Sequence, residues 1–157
     1  MRQIKYLVLL AAVMGGFAAC KRDSFDAEAQ FRADTTAIRS YVTANNIPAV
    51  KDKYGVFYQV ITPGTGNVTY TGSTQVTVDY SGKVLGKSEN FDSSAGTART
   101  FQLGGLIPGW QIGIPYIQKG GKVRLFIPSQ FGYGNSAQAA IPANSVLDFT
   151  IELTNVQ

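Results

Sequence analysis

The sequence predicts an α+β fold: a half-buried antiparallel β-sheet with one short helix able to cover its apolar face, preceded by an N-terminal helical segment. Three observations carry this. Between about Glu28 and Asn45, Phe31, Ile38, Tyr41 and Val42 fall on one helical face. After Lys53 the apolar period changes from helical to alternating. Between the alternating runs, a single short segment, opening at Pro108-Gly109-Trp110, has the character of a covering helix.

The chain begins with Arg2 and Lys5 ahead of an apolar run, Tyr6–Ala19, that is short for a membrane span and carries Gly15 and Gly16. Residues 1–19 therefore read as a signal peptide. The run ends at Phe17-Ala18-Ala19-Cys20, and Cys20 is the sole cysteine, so no internal disulfide can form. A lone cysteine after small residues resembles a bacterial lipobox, although Phe17 stands where that pattern prefers leucine; the resemblance implies lipidation at Cys20. Residues 20–27 are polar and suit a lipidated tether. Residues 28–52 form a helical arm that Asn45-Asn46 and Ile47-Pro48 bring to an end; a packing arm or spacer is the commoner role for such a helix, a dimerisation element the rarer one.

Residues 53–157 hold the sheet. Val56–Thr62 is a strand closed by Pro63-Gly64. Val76, Val78 and Tyr80 alternate with Thr77 and Asp79. Val123, Leu125 and Ile127 alternate with Lys122 and Arg124, and Leu147, Phe149, Ile151 and Leu153 alternate with Asp148, Thr150, Glu152 and Thr154. Such alternation puts one face on a core and the other in water. In the covering segment, Pro108 suits the first helical turn, where its missing N–H costs nothing. Pro115 removes a hydrogen bond further along, so the helix should run about two turns and end distorted.

Composition excludes several function classes. With no histidine and a single cysteine, Ser–His and Cys–His nucleophile pairs and the common zinc sites are ruled out. No metal or cofactor is expected. Gly64-Thr65-Gly66 lacks the third glycine and following helix of a dinucleotide fingerprint and reads as a turn. Without residues 1–19 the side-chain charge is about +2, and Lys51, Lys83, Arg99, Lys119 and Arg124 are scattered rather than striped, which argues against nucleic acid.

A set of motifs then occurs in order: Asp79-Tyr80-Ser81-Gly82; Phe91-Asp92-Ser93-Ser94; Leu106-Ile107-Pro108-Gly109-Trp110; Gly120-Gly121-Lys122-Val123-Arg124; Ile127-Pro128 with Phe131-Gly132-Tyr133-Gly134; Ile141-Pro142 with Leu147-Asp148-Phe149. Together they resemble the FKBP-type peptidyl-prolyl isomerases over residues 53–157. The resemblance implies that the sheet twists into a half-barrel around the short helix. It also implies that Trp110 forms the floor of a proline pocket; a plain core role for Trp110 is physically sensible too, since a pocket floor is also core, but the resemblance favours the floor.

By the same resemblance Tyr80, Phe91, Leu106, Ile107, Trp110, Ile141 and Phe149 form the apolar wall. Asp92 faces the twisting amide, with Phe91 beside it, and the Tyr133 hydroxyl and Ile107 N–H bind substrate carbonyls. Taken alone, Asp92 reads as a turn former and Tyr133 as a loop anchor. The implied activity is prolyl isomerisation. It needs no nucleophile: the barrier is the resonance of the C–N bond, about 18–20 kcal/mol, and a dry aromatic cavity favours the less polar twisted amide.

The chain departs from the family at Arg99, where an aromatic wall residue is common, at the short Gly104-Gly105-Leu106 connection, and in the small polar loop Asn135–Ala140. The expected partners are proline-containing polypeptides, macrolide ligands and a membrane reached through the lipid. Lys21 after Cys20 resembles sorting to the outer membrane, on its periplasmic side, and folding envelope proteins are the expected clients. The alternative is a non-catalytic peptide-binding chaperone module anchored in the same way, with a purely structural lipoprotein as the third reading.

Overall fold

The computed structural model describes residues 25–157; Cys20 and the apolar leader lie outside them. Helix α1 runs Ala27–Ala44. Asp26 caps it by accepting the Ala29 N–H at 2.9 Å. At its other end Asn45 returns both its N–H and its side-chain amide to the Tyr41 carbonyl, and Asn46 then turns into the left-handed region at φ 52°.

The sheet contains β1 (Val50–Lys51), β2 (Phe57–Thr62), β3 (Gln75–Val84), β4 (Asn90–Ser93), β5 (Arg99–Gln102), β6 (Lys122–Ile127) and β7 (Leu147–Val156). Its order is β1-β2-β6-β7-β3-β4 with every pair antiparallel, and β5 also lies on β3. The outer edge of β3 is therefore shared: Ser81–Lys83 pairs with β4 and Gln75–Val78 with β5. The chain between β4 and β5 leaves the sheet at that break. Ser94 fastens it there, its hydroxyl accepting the Tyr80 N–H at 2.8 Å and donating to Asp79.

Helix α2 (Pro108–Gly113) lies in the hollow of the sheet and passes directly into a 3-10 turn at Ile114–Tyr116. Pro115 sits in that turn, where it cannot supply the N–H that would have continued α2. The helix thus has the short, distorted form expected from the sequence. It also lies unusually close to β6: a Cβ on Gly109 would stand 2.4 Å from Ile127 Cγ2, and one on Gly113 2.4 Å from Leu125 Cδ1. Val76, Val78 and Tyr80 of β3, Val123, Leu125 and Ile127 of β6, and Leu147, Phe149, Ile151 and Leu153 of β7 close on α2 as one core.

The opposite face does not conform to the expectation of a solvated surface. At its β2–β6 end α1 covers it, burying Ile38 and Val42 against Phe57, Phe126 and Val146. Burial of each such side chain contributes about 1.5–3 kcal/mol. Further along this face Asp148, 2% exposed, receives a two-point hydrogen bond from Arg124 at 2.9 and 2.8 Å. That fork satisfies a carboxylate which would otherwise be very costly to bury.

Candidate functional site

The chain reaches α2 through Leu106 and Ile107, and Ile107 is extended (φ −56°, ψ 145°) before Pro108 fixes the first turn. This geometry points the Trp110 ring into the hollow, where it is 4% exposed. Tyr80 from β3, Phe149 from β7 and Phe101 from β5 meet it with their planes at 79°, 89° and 88°, centroids 5.1, 5.2 and 6.4 Å away. Edge-to-face contact on three sides is favourable for aromatic quadrupoles and holds the indole without a hydrogen bond. Its Nε1–H is buried with no acceptor among the described residues.

Above the indole opens a cavity of about 130 Å³ lined by Tyr80, Asp92, Phe101, Leu106, Ile107, Trp110, Tyr133 and Phe149. Seven of the nine site residues expected from sequence meet there. Phe91 and Ile141 do not line it: Phe91 packs edge-on against the outer side of Phe149, centroids 5.5 Å apart, and Ile141 is in the core at 6% exposure. Phe91 borders instead an open groove of about 450 Å³ with Val84, Lys87 and Pro142. Phe101 is the residue that sequence reasoning missed. Its one signal is the alternation of Arg99 and Phe101 with Thr100 and Gln102, too short a run to read as a strand by itself.

The polar rim is an ordered chain. The Tyr80 hydroxyl donates to Asp92 Oδ2 at 2.7 Å and accepts from Arg99 Nη1 at 3.2 Å; the same guanidinium donates to the Ser93 carbonyl at 3.1 Å and lies 3.9 Å from Asp92 Oδ1. Arg99 therefore stands where an aromatic wall is common in the family it resembles, and braces Tyr80 and Asp92. Burial pushes the Tyr80 phenol up to about 12, the hydrogen bond with Asp92 and its charge adding to the shift and Arg99 opposing it. Tyr133 is raised also, chiefly by burial and secondarily by the Asp92 charge.

Both phenols are thus neutral donors near neutral pH, but their protons are committed differently. Tyr80 gives its proton to Asp92. The Tyr133 hydroxyl, on a side chain 39% exposed, has no hydrogen-bond partner among the described residues, and neither has the Ile107 N–H. Two free donors, one carboxylate and an apolar floor can take a neutral, carbonyl-bearing, apolar ligand. They offer no nucleophile and no metal-ligand set.

Comparison with known proteins agrees with this reading of the fold. Residues 66–154 match the family described as FKBP-type peptidyl-prolyl cis-trans isomerase. The chain is 41% identical over 109 residues to FkpA of Buchnera aphidicola (subsp. Schizaphis graminum) and 41% over 105 residues to FkpA of Escherichia coli K12. These matches cover 68% and 66% of the chain but only 43% and 38% of the relatives, so the chain spans about two-fifths of their length. The crystal structure of Escherichia coli FkpA superposes with a TM-score of 0.69 at 32% identity, over 83% of this chain and 64% of that one. A peptidyl-prolyl cis-trans isomerase from Pseudomonas syringae pv. tomato gives 0.70 at 29% identity, over 85% and 98%.

Proposed function

The chain belongs to the FKBP-type peptidyl-prolyl cis-trans isomerase family, and on that premise we propose that it catalyses rotation about X–Pro bonds of polypeptides by holding the twisted amide above Trp110. The observation that carries the proposal is the cavity itself: Trp110 met edge-on by Tyr80, Phe101 and Phe149, with Asp92, Tyr133 and the Ile107 N–H around its mouth.

A planar amide is polar and prefers water; on twisting, its nitrogen becomes pyramidal and its carbonyl less polarised. The walls of Tyr80, Phe101, Trp110 and Phe149 stabilise that form relative to the planar one because they offer it no competing water. The free donors at Tyr133 and Ile107 hold substrate carbonyls on either side of the rotating bond. Asp92, kept in place by Tyr80 and Arg99, faces the amide. No proton is transferred and no covalent bond forms, which suits a chain without histidine.

The clients are folding proteins of the bacterial envelope, and macrolides able to mimic a proline ring in the cavity would compete with them. The support for the envelope setting is sequence: a basic start, a short apolar run and Cys20 at its end, followed by Lys21. A lipid on Cys20 would hold the domain at the outer membrane. The test of the activity is a protease-coupled assay on a tetrapeptide with one X–Pro bond. Acceleration that saturates with substrate and is suppressed by a macrolide supports the proposal; peptide binding without acceleration would leave a tethered chaperone instead.

A further inference from the structure

A buried carboxylate outside the cavity lining is hydrogen-bonded to the loop that carries Tyr133. Asp34, in the middle of α1, is 3% exposed. Its Oδ2 accepts the N–H of Ser129 at 2.8 Å, across 95 positions of sequence, and its Oδ1 accepts from Gln30 Nε2 at 2.7 Å. Ser129 opens the 3-10 turn Ser129–Phe131. The Ser129 carbonyl in turn accepts the N–H groups of Gly132 and Gly134, at 2.9 and 2.8 Å, the residues on either side of Tyr133. One residue, Ser129, thus links the α1 carboxylate through its N–H to both flanks of the tyrosine through its carbonyl.

A second contact fixes the same turn. Phe31, one helical turn before Asp34, meets the Phe131 ring edge-on at 6.1 Å. The tip of the Phe31 ring is seated on Gly55, where a Cβ would stand 2.4 Å from its Cζ. If α1 served only to cover the sheet, Ile38 and Val42 would suffice, and an apolar side chain at position 34 would do better than a carboxylate that must be desolvated. What the carboxylate supplies is an acceptor for the first N–H of a short turn, a donor that is otherwise orphaned.

We propose that Asp34 is a positioning residue for Tyr133: acting through the backbone of Ser129, it sets the loop 129–134 so that the Tyr133 hydroxyl stands at the mouth of the cavity, and α1 is part of the working unit of the isomerase. This rests on the reading of Tyr133 as a group that touches substrate. Gly132 and Gly134 on either side of it open many conformations to the backbone of that loop, and the brace from α1 holds Ser129, whose carbonyl anchors the one observed.

The test is a double-mutant cycle on the full chain, reading kcat/KM on a proline peptide together with the denaturation midpoint. Asp34→Ala should lower kcat/KM by about five- to tenfold, and by less than about twofold in a Tyr133→Phe background, because both changes remove the same contact. Asp34→Asn should recover most of the rate, since its carbonyl can still accept the Ser129 N–H. Ile38→Ala should lower the midpoint at least as much as Asp34→Ala while leaving the rate of the folded protein near wild type. Asp34→Leu, which refills the space, carries the same prediction as alanine if Asp34→Ala does not fold. An equal loss from Asp34→Ala in both backgrounds would overturn the brace while leaving Tyr133 its role. A wild-type rate in Tyr133→Phe itself would overturn the role of Tyr133 and the brace with it.

Discussion

Gly109→Ala adds a single methyl group where α2 touches β6, and two opposing effects follow. The new Cβ would lie 2.4, 2.7 and 2.9 Å from Cγ2, Cδ1 and Cγ1 of Ile127. Ile127 is fully buried in the central core, so its side chain cannot swing into solvent to make room. Over-packing of this kind costs about 1–3 kcal/mol. Alanine is favoured over glycine by about 1 kcal/mol inside a helix, and by less at the second position of a six-residue one. The steric effect wins, with a net destabilisation of about 1–2 kcal/mol and a fall in Tm of about 3–8 °C. Because Trp110 is the next residue, relief of the clash lifts the cavity floor. The isomerisation rate should therefore drop by about three- to thirtyfold even below the transition. Gly105→Ala, whose Cβ would meet nothing within 4 Å, is the control and should change neither quantity. Scanning calorimetry and the coupled peptide assay read both. A Gly109→Ala variant with wild-type Tm and rate would refute the close seating of α2 on β6.

Two further outcomes test other parts of the account. The Tyr80 phenol is raised from 10.0 to about 12; the native state then binds more protons than the unfolded chain between these values, so the stability that neutral Tyr80 contributes is whole below pH 10 and is lost as pH rises through about 12. Tyr80→Phe should flatten that alkaline loss by up to about 2 kcal/mol between about pH 9 and 11.5, measured by urea unfolding at the two ends of that range, and an unchanged slope would contradict the burial of a neutral Tyr80. Cys20→Ser should move the chain from the membrane fraction to the soluble one with its isomerase rate intact; a variant that stays with the membrane would place the anchor elsewhere.

The elements that were legible in the sequence are those whose faces differ sharply. Strands β3, β6 and β7 alternate a buried aliphatic or aromatic residue with a polar one over most of their length, and that period has one structural meaning. Pro108 and Pro115 bracket α2 by removing donors, so its length could be read without a partner in view. Strands β4 and β5 have four residues each and take their conformation from pairing with β3, which no local pattern reveals. Phe101 was missed for that reason. The family resemblance assigned both Phe91 and Asp92 to the cavity, but in a strand neighbours point to opposite sides; Asp92 lines it, and the Phe91 ring packs edge-on against Phe149.

The cover that α1 gives the sheet had one sign in the sequence: Phe126 breaks the polar series Lys122, Arg124 on that face. Asp34 had none, because an aspartate on a helix reads as a solvated charge until the loop that it meets, 95 residues on, is folded against it.

The central claim is that the cavity favours the twisted amide over the planar one, and the most direct measurement compares rate with affinity in Asp92→Val and Tyr133→Phe. Tyr133→Phe removes one hydroxyl from the rim, and Asp92→Val removes the carboxylate that faces the amide together with the acceptor of the Tyr80 hydroxyl; both leave Trp110, Phe101 and Phe149 unaltered. If these groups act on the twisted amide, each variant should lose about 1–3 kcal/mol of transition-state stabilisation, a fall of about five- to 150-fold in kcat/KM, while Kd for a proline peptide, followed by Trp110 fluorescence, changes several times less. Equal losses in rate and affinity, or a wild-type chain that binds the peptide and does not speed its isomerisation, would contradict the account and leave the cavity as a binding site alone.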